Sequence, residues 1–324
     1  MTTTTRSSDP GTVGRYRATS RRTVRRFALA SLGANLGIVV TGGAVRLTGS
    51  GLGCPSWPRC TDQSFVPHRA LGVHGAIEYG NRMLTAVLVA IAVATLVVVW
   101  RHRPVRTALR RLAVLLAVGI PAQALLGGVT VLTDLNPWVV AGHLMLSMAL
   151  IAVSVLLVRR IDEGDRPPTP LVAGAAVHLT RLVYALMWVV LYVGTVVTGS
   201  GPHAGDASSP RNGLDPATMA QVHADLVLLL IGLTAGLVLI LRTAPAPTPA
   251  ATAAQWLLGV ELAQGLVGVV QYLTDLPLVL VGLHLLGAAV LVAAATWTLL
   301  SVRERGPAPI ETARAVVDGS NRAA

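Results

Sequence analysis

The sequence predicts an all-α integral membrane protein of eight transmembrane helices, folded as two pseudo-symmetric four-helix bundles with both termini cytoplasmic. Three observations carry that expectation. Of 324 residues, 53% are hydrophobic and 13% charged, roughly half the charge of a soluble domain, and the mean hydropathy is +0.63. The apolar residues gather into eight runs of about 20, the length that crosses a bilayer core. A stretch of the fourth-helix region then recurs near the C-terminus, which divides the runs four and four.

Taken in order, residues 1–26 form a polar, arginine-rich tail expected to be disordered on the cytoplasmic side. The apolar runs cover 27–45, 73–100, 112–133 and 138–158, then 177–198, 219–241, 253–273 and 278–300. They define an N-terminal bundle over 27–158, a cytoplasmic linker over 159–176 that is Pro-rich at 164–170, a C-terminal bundle over 177–300 and a cytoplasmic tail over 301–324. The first run is read as a retained helix and not as a cleaved signal peptide, because the repeat needs it.

All 26 basic residues are arginine, and the net charge is +11. Twenty of them fall in the tails, the linker and the short segments on one side of the runs; four fall on the other side. That bias puts the termini inside and turns 46–72, 134–137, 199–218 and 274–277 outward. The clusters flank apolar runs and lack interleaved aromatics, so they speak for membrane lipid and against a nucleic-acid partner.

The repeat is nearly literal. Residues 123–146 read QALLGGVTVLTDLNPWVVAGHLML and residues 264–287 read QGLVGVVQYLTDLPLVLVGLHLLG. At an offset of 141, Leu132-Thr133-Asp134-Leu135 falls on Leu273-Thr274-Asp275-Leu276, and His143 falls on His284. Val40-Thr41-Gly42 likewise parallels Val197-Thr198-Gly199 at the ends of the first and fifth runs. Parallel repeats of four helices follow, related by an axis along the membrane normal.

Histidines inside those runs are the first candidates for chemistry. His143, His284 and, near the outer end of the sixth run, His223 lie about 10 Å deep at 1.5 Å rise per residue. An ionisable group at that depth is costly unless it has a task. Helix-to-helix hydrogen bonding is the structural alternative, but repetition at equivalent positions favours a cofactor. A histidine pair on facing helices, His223 with His284, suits the iron of a six-coordinate heme. A bare metal ion would be under-coordinated by two histidines with no carboxylate in the same half.

The N-terminal half departs from this symmetry. At an offset of 142 the counterpart of His223 is Asn81, and Glu78 stands one turn before it. His74, Glu78 and Asn81 share one helix stripe near the outer surface. Glu78 can form an i,i+4 ion pair with Arg82, or it can handle protons beside a weakly ligated heme. Cys54 and Cys60 sit in an outward loop, which favours an intraloop disulfide over free thiols; zinc would need more ligands than the loop offers. His68, close by, is a further partner for a transient metal or heme, whereas His102, His178 and His203 are read as ordinary.

The run Thr41-Gly-Gly-Ala-Val-Arg46-Leu-Thr-Gly-Ser-Gly-Leu-Gly-Cys54-Pro-Ser-Trp-Pro58 closely resembles the first helix end and outer loop of heme A synthases, and the resemblance extends over about residues 27–300. It implies conversion of heme O to heme A in cytochrome oxidase biogenesis, a porphyrin methyl being oxidised to a formyl group by successive hydroxylations. It implies heme b as resident cofactor, held by His223 and His284, and a substrate heme in the N-terminal half, with Glu78 as the essential carboxylate and Cys54 and Cys60 as the family's cysteine pair. An electron donor, heme O synthase and oxidase assembly factors are the partners it implies. The family pattern places a histidine where this chain has Asn81. His143 is therefore expected to be the one strong ligand of the substrate heme, with His74 as the alternative. A b-type electron-transfer cytochrome is the rival reading, and the missing ligand at Asn81 counts against it. A small-solute transporter would need paired broken helices, which these runs lack.

Overall fold

The computed structural model describes residues 19–243 and 245–309. Eight long helices make up the chain: α1 (Arg21–Leu47), α2 (Gly72–Arg101), α3 (Thr107–Leu132), α4 (Pro137–Asp162), α5 (Gly174–Ser200), α6 (Pro216–Thr243), α7 (Thr248–Leu273) and α8 (Leu278–Ser301). All eight are long and apolar enough to cross a membrane. Much of their apolar surface is exposed, as at Leu273, Val279 and Trp256, which in a membrane faces lipid chains, themselves as apolar as leucine. The protein is a multi-pass membrane protein.

Each helix overruns its apolar run, because capping groups set the backbone ends while hydropathy marks only the part in hydrocarbon. α1 begins at Arg21, where the Ser20 hydroxyl accepts from the Thr23 N–H at 3.2 Å. Residues 21–26 are thus helical, which corrects the expectation of a disordered tail there; the same expectation for 1–18 lies outside the described residues. Asn136 caps α4 by accepting from the Trp138 N–H at 3.0 Å. Asp215 caps α6 through the hydroxyl and N–H of Thr218, both at 2.7 Å, and these bonds hold its carboxyl below the usual aspartate range.

α1 packs on α2 and α4, and α3 packs on both, closing a four-helix ring; α5, α6, α7 and α8 close a second. The rings meet where α8 lies against α1 and α4, and α4 against α5. Burial follows the same register in both. On α3 it falls on Leu109, Ala113, Leu116 and Ile120, and on α7 on Ala250, Ala254, Leu257 and Glu261, each 141 positions later. On α2 it falls on Leu88, Ala92, Thr95 and Val99, and on α6 on Leu230, Thr234, Leu237 and Leu241, each 142 later.

The repeated Leu-Thr-Asp-Leu turns also share one backbone. Asp134 and Leu135 have φ of 51° and 58°, and Asp275 and Leu276 have 58° and 57°. Two consecutive non-glycine residues in the left-handed region are strained, and the turn offsets this by pairing carbonyls at the helix end. Leu135 N–H bonds the Thr130 carbonyl and Leu276 N–H the Gln271 carbonyl, both at 2.8 Å.

The arginine-rich end is laced by ion pairs. Asp162 meets Arg21 and Arg25, while Arg160 reaches Glu163 and Asp165. Arg106 pairs with Asp165 and donates to the Ile161 and Glu163 carbonyls. Here β1 (Thr169–Pro170), in the linker, pairs antiparallel with β2 (Arg303–Glu304), after α8. Linker and C-terminal tail are therefore partly ordered against each other.

Candidate functional site

The loop 48–71 closes over the N-terminal ring at the end opposite the arginine clusters. Cys54 and Cys60 are joined by a disulfide, as expected from the sequence. Glu78, six residues into α2, is 5% exposed and meets this loop from below. Its Oε2 accepts from the Cys54 N–H at 2.6 Å, and its Oε1 is paired with Arg82. Arg82 also donates to the carbonyls of Cys54 at 2.9 Å, Ser56 at 3.0 Å and Arg59 at 3.1 Å. The ion pair weighed as the structural alternative for Glu78 is thus present, and it fastens the disulfide loop to α2 as well as spanning one helical turn.

Asn81 faces α1, where its Oδ1 accepts from the Thr41 hydroxyl at 2.8 Å. His74 lies at the exposed start of α2, with Nδ1 3.0 Å from the Ser50 hydroxyl, itself 2.8 Å from that of Thr48. His68 is exposed in the loop. His102 closes the far end of α2 on the Thr19 carbonyl at 2.9 Å. The structure thus sets Glu78 and Asn81 in one helix under the loop and leaves His74 and His68 at the surface.

His143, His223 and His284 are half-buried, and each ring lies against a helix glycine. A Cβ on Gly127 of α3 would stand 3.2 Å from Cε1 of His143; the corresponding distances are 3.1 Å for Gly194 and His223, and 3.5 Å for Gly268 and His284. At Gly127 and Gly194 a larger residue would crowd the imidazole, whereas at Gly268 a Cβ would only touch it. Gln123 of α3 donates to the His143 carbonyl at 3.0 Å, and Gln264 of α7 to the His284 carbonyl at 2.8 Å. Gln123 also bonds the Ser147 hydroxyl. One glutamine and one glycine, four residues apart, therefore seat each of these two histidines.

Nδ1 of all three imidazoles is buried and, among the described residues, has no hydrogen-bond partner. Such groups call for an explanation, a bound ligand among them. With Nδ1 buried, Nε2 is the nitrogen left to ligate, and an imidazole so placed in an apolar ring of helices fits an axial ligand of a heme iron. Among the described residues no three His, Cys, Asp or Glu side chains group as a bare metal ion would need.

The structure adds residues that the sequence reading passed over. Trp57 of the disulfide loop packs its ring on Gly128, where a Cβ would collide with it, one residue from the glycine that faces His143. Glu261 of α7 is 3% exposed; its Oε1 accepts from the Thr234 hydroxyl of α6 at 2.9 Å, and its Oε2 has no partner among the described residues. The C-terminal half therefore does contain a carboxyl group, which corrects the premise that it has none. A lone acid inside an apolar run was the available signal.

Comparison with known proteins shows the family of the chain. Curated relatives include the "Heme A synthase" of Bacillus pumilus, 32% identical over 170 residues, which is 49% of this chain and 54% of that protein. The "Heme A synthase" of Listeria welshimeri is 32% identical over 167 residues, with the same shares covered. That of Geobacillus thermodenitrificans is 33% identical over 147 residues, 44% of each chain. The chain spans about half the length of the curated relatives it matches. The family model COX15-CtaA, described as cytochrome oxidase assembly protein, matches residues 25–74 and 68–211. Glu78, Asn81 and His143 fall inside that match, and His223 and His284 beyond it. With more than half of its 324 residues matched, the chain belongs to the cytochrome oxidase assembly protein family.

Proposed function

We propose that the chain is a heme A synthase, a heme-dependent membrane oxidoreductase that converts heme O to heme A by successive hydroxylations of one porphyrin methyl group. The observation that carries this reading is the pair His143 and His284. Each is half-buried within an apolar helix ring and seated by a glutamine and a glycine, in a chain of this family.

In this reading His223 and His284 hold heme b as the resident cofactor, which when bound supplies one-electron transfer. His143 offers the strong ligand for the substrate heme. Asn81, bonded to Thr41, offers no imidazole opposite it, so a ligand position stays free on that side. Glu78 is the group that holds or moves a proton, its two oxygens fixed by Arg82 and by the Cys54 N–H. Trp57 and the disulfide loop cover this half and keep water out. The loop end faces outward and the arginine-rich end inward, with both termini cytoplasmic. Heme O is the substrate; an electron donor, heme O synthase and oxidase assembly factors are the partners.

Pigment extraction from membranes with and without this protein tests the proposal. A formyl-bearing heme present only with the protein is expected. Unmodified protoheme alone would instead make it a b-type electron-transfer cytochrome.

A further inference from the structure

A groove with a volume of about 540 Å³ opens between α7 and α8 at the arginine-rich end of the C-terminal ring. Small side chains line it, Thr252 and Ala253 on α7 and Ala293 and Ala294 on α8, together with the rings of Trp256 and Trp297. Thr248, the first residue of α7, stands at its mouth, and Val290, eleven residues before the end of α8, is its deepest lining residue. That run is about 16 Å at 1.5 Å per residue, and one leaflet of hydrocarbon is about 15 Å thick. At an offset of 141 the N-terminal ring has the bulkier Leu112 for Ala253 and Val153 for Ala294, and Leu115 and Leu156 for the two tryptophans. The aromatic groove is a feature of the C-terminal ring, not of the repeat.

Arginines gather at the mouth. The Arg159 guanidinium of α4 lies over the Trp297 ring, 5.1 Å from its centroid. Its Nε bonds Glu163 at 3.0 Å, and among the described residues neither terminal nitrogen has a hydrogen-bond partner. Arg303 follows two residues after α8. Burial, then Arg305, Arg160 and Arg159, push its guanidinium below the usual arginine range, against the pull of Glu163. An apolar groove one leaflet long, with tryptophans along it and cations at its open end, matches a phospholipid with a negative headgroup. A zwitterionic headgroup would bring a cation of its own to these arginines. A second copy of the chain, inserted the same way up, would bring its arginine-rich end against this one and set like charges together.

We propose that the groove between α7 and α8 binds one anionic phospholipid, an acyl chain lying along Trp256 and Trp297 and the phosphate held by Arg159. The test uses the full-length chain, purified in mild detergent and mixed with equal amounts of phosphatidylglycerol and phosphatidylcholine that carry the same acyl chains. Native mass spectrometry counts the lipids retained. The parent is expected to keep one phosphatidylglycerol, favoured over phosphatidylcholine by at least about fivefold, the preference that one well-placed arginine supplies. Arg159→Gln, which leaves Glu163 its ion pair with Arg160, should bring that ratio close to one. Trp297→Leu removes the ring beneath Arg159 without touching its ion pair; it should lower phosphatidylglycerol retention and serves where Arg159→Gln fails to accumulate. Arg111→Gln, at the position aligned with Thr252 in the other ring, should leave the ratio unchanged. A parent with no preference between the two lipids overturns the proposal. An equal fall in Arg111→Gln does so too, because the preference would then follow total charge and not this groove. A parent that is dimeric, and that takes up lipid only when Trp256→Ala separates the copies, gives the groove to a second chain and likewise overturns it.

Discussion

The two four-helix rings share a burial register, a Leu-Thr-Asp-Leu turn and a glutamine-seated histidine, and they differ at the side chains able to do chemistry. Where the C-terminal ring places His223, the N-terminal ring places Asn81, bonded to Thr41. Ahead of Asn81 stands Glu78, whose counterpart is Ala220. Over the N-terminal ring lies a disulfide loop with Trp57; the C-terminal ring carries instead the buried Thr234–Glu261 pair. The shared features are backbone and burial register, and the differences that bear on chemistry are groups that ligate, donate or accept. A common scaffold with different polar groups is what this comparison shows; under the proposed function it becomes a divided labour, one ring keeping a cofactor and the other admitting and changing a substrate.

The largest expected effect separates the two equivalent histidines. His284→Ala should remove the low-spin b-type spectrum of the purified protein almost completely, and His143→Ala should leave it intact while abolishing heme A formation. Absorption spectra of both variants decide this; the reverse pattern would exchange the roles of the rings. Next comes Glu78→Gln, which keeps size and hydrogen bonding but removes the charge. It should accumulate in membranes with heme b bound and make at least about tenfold less heme A, since a positioned proton-transfer group contributes roughly 10²–10⁴-fold. Near-normal heme A in cells that rely on it would reduce Glu78 to an anchor for the loop.

Asn81→His makes the rings more alike. It should convert heme bound in the N-terminal ring to a low-spin, two-imidazole form, which up to doubles the low-spin signal per protein and slows turnover. An unchanged spectrum in the heme-loaded variant would mean that Asn81 does not face the ligand position. The loop cysteines should resist a membrane-impermeant thiol reagent until a reductant is added; full labelling without reductant contradicts the disulfide. The smallest effect concerns helix starts. α4 is capped by Asn136, but α8 begins after Pro277 with no side-chain cap. Asn136→Ala should cost about 1 kcal/mol of stability, read as a lowered thermal midpoint with the heme spectrum unchanged.

The eight helices were legible because each must bury its backbone polar groups within itself in hydrocarbon, which forces long apolar runs. Their ends were not, since Ser20 and Asp215 extend helices by local hydrogen bonds that hydropathy does not register. The repeat led to His143, His284 and Asn81 because it preserves spacing. Glu78 was legible as a residue, but its embrace by Arg82 and the Cys54 N–H depends on the loop folding back over α2, 24 positions away in sequence. Glu261 was overlooked because one acid scarcely changes the hydropathy of a 21-residue run. Only the burial register shows that it takes the place of Ile120.

Arg46, at the end of α1, donates to the His203 carbonyl at 2.5 Å and the Thr198 carbonyl at 3.0 Å, while the Gly51 N–H meets the Gly205 carbonyl at 2.9 Å. At the opposite end the Gly164 N–H meets the Gly306 carbonyl at 2.8 Å, and the Ala308 N–H meets the Asp162 carbonyl at 3.2 Å. The two rings are riveted together at top and bottom. A carrier that works by rocking one half against the other would have to tear those rivets in every cycle. A device that passes electrons between two fixed stations gains from them, because tunnelling falls off steeply with distance and a rigid frame keeps the gap constant from one turnover to the next.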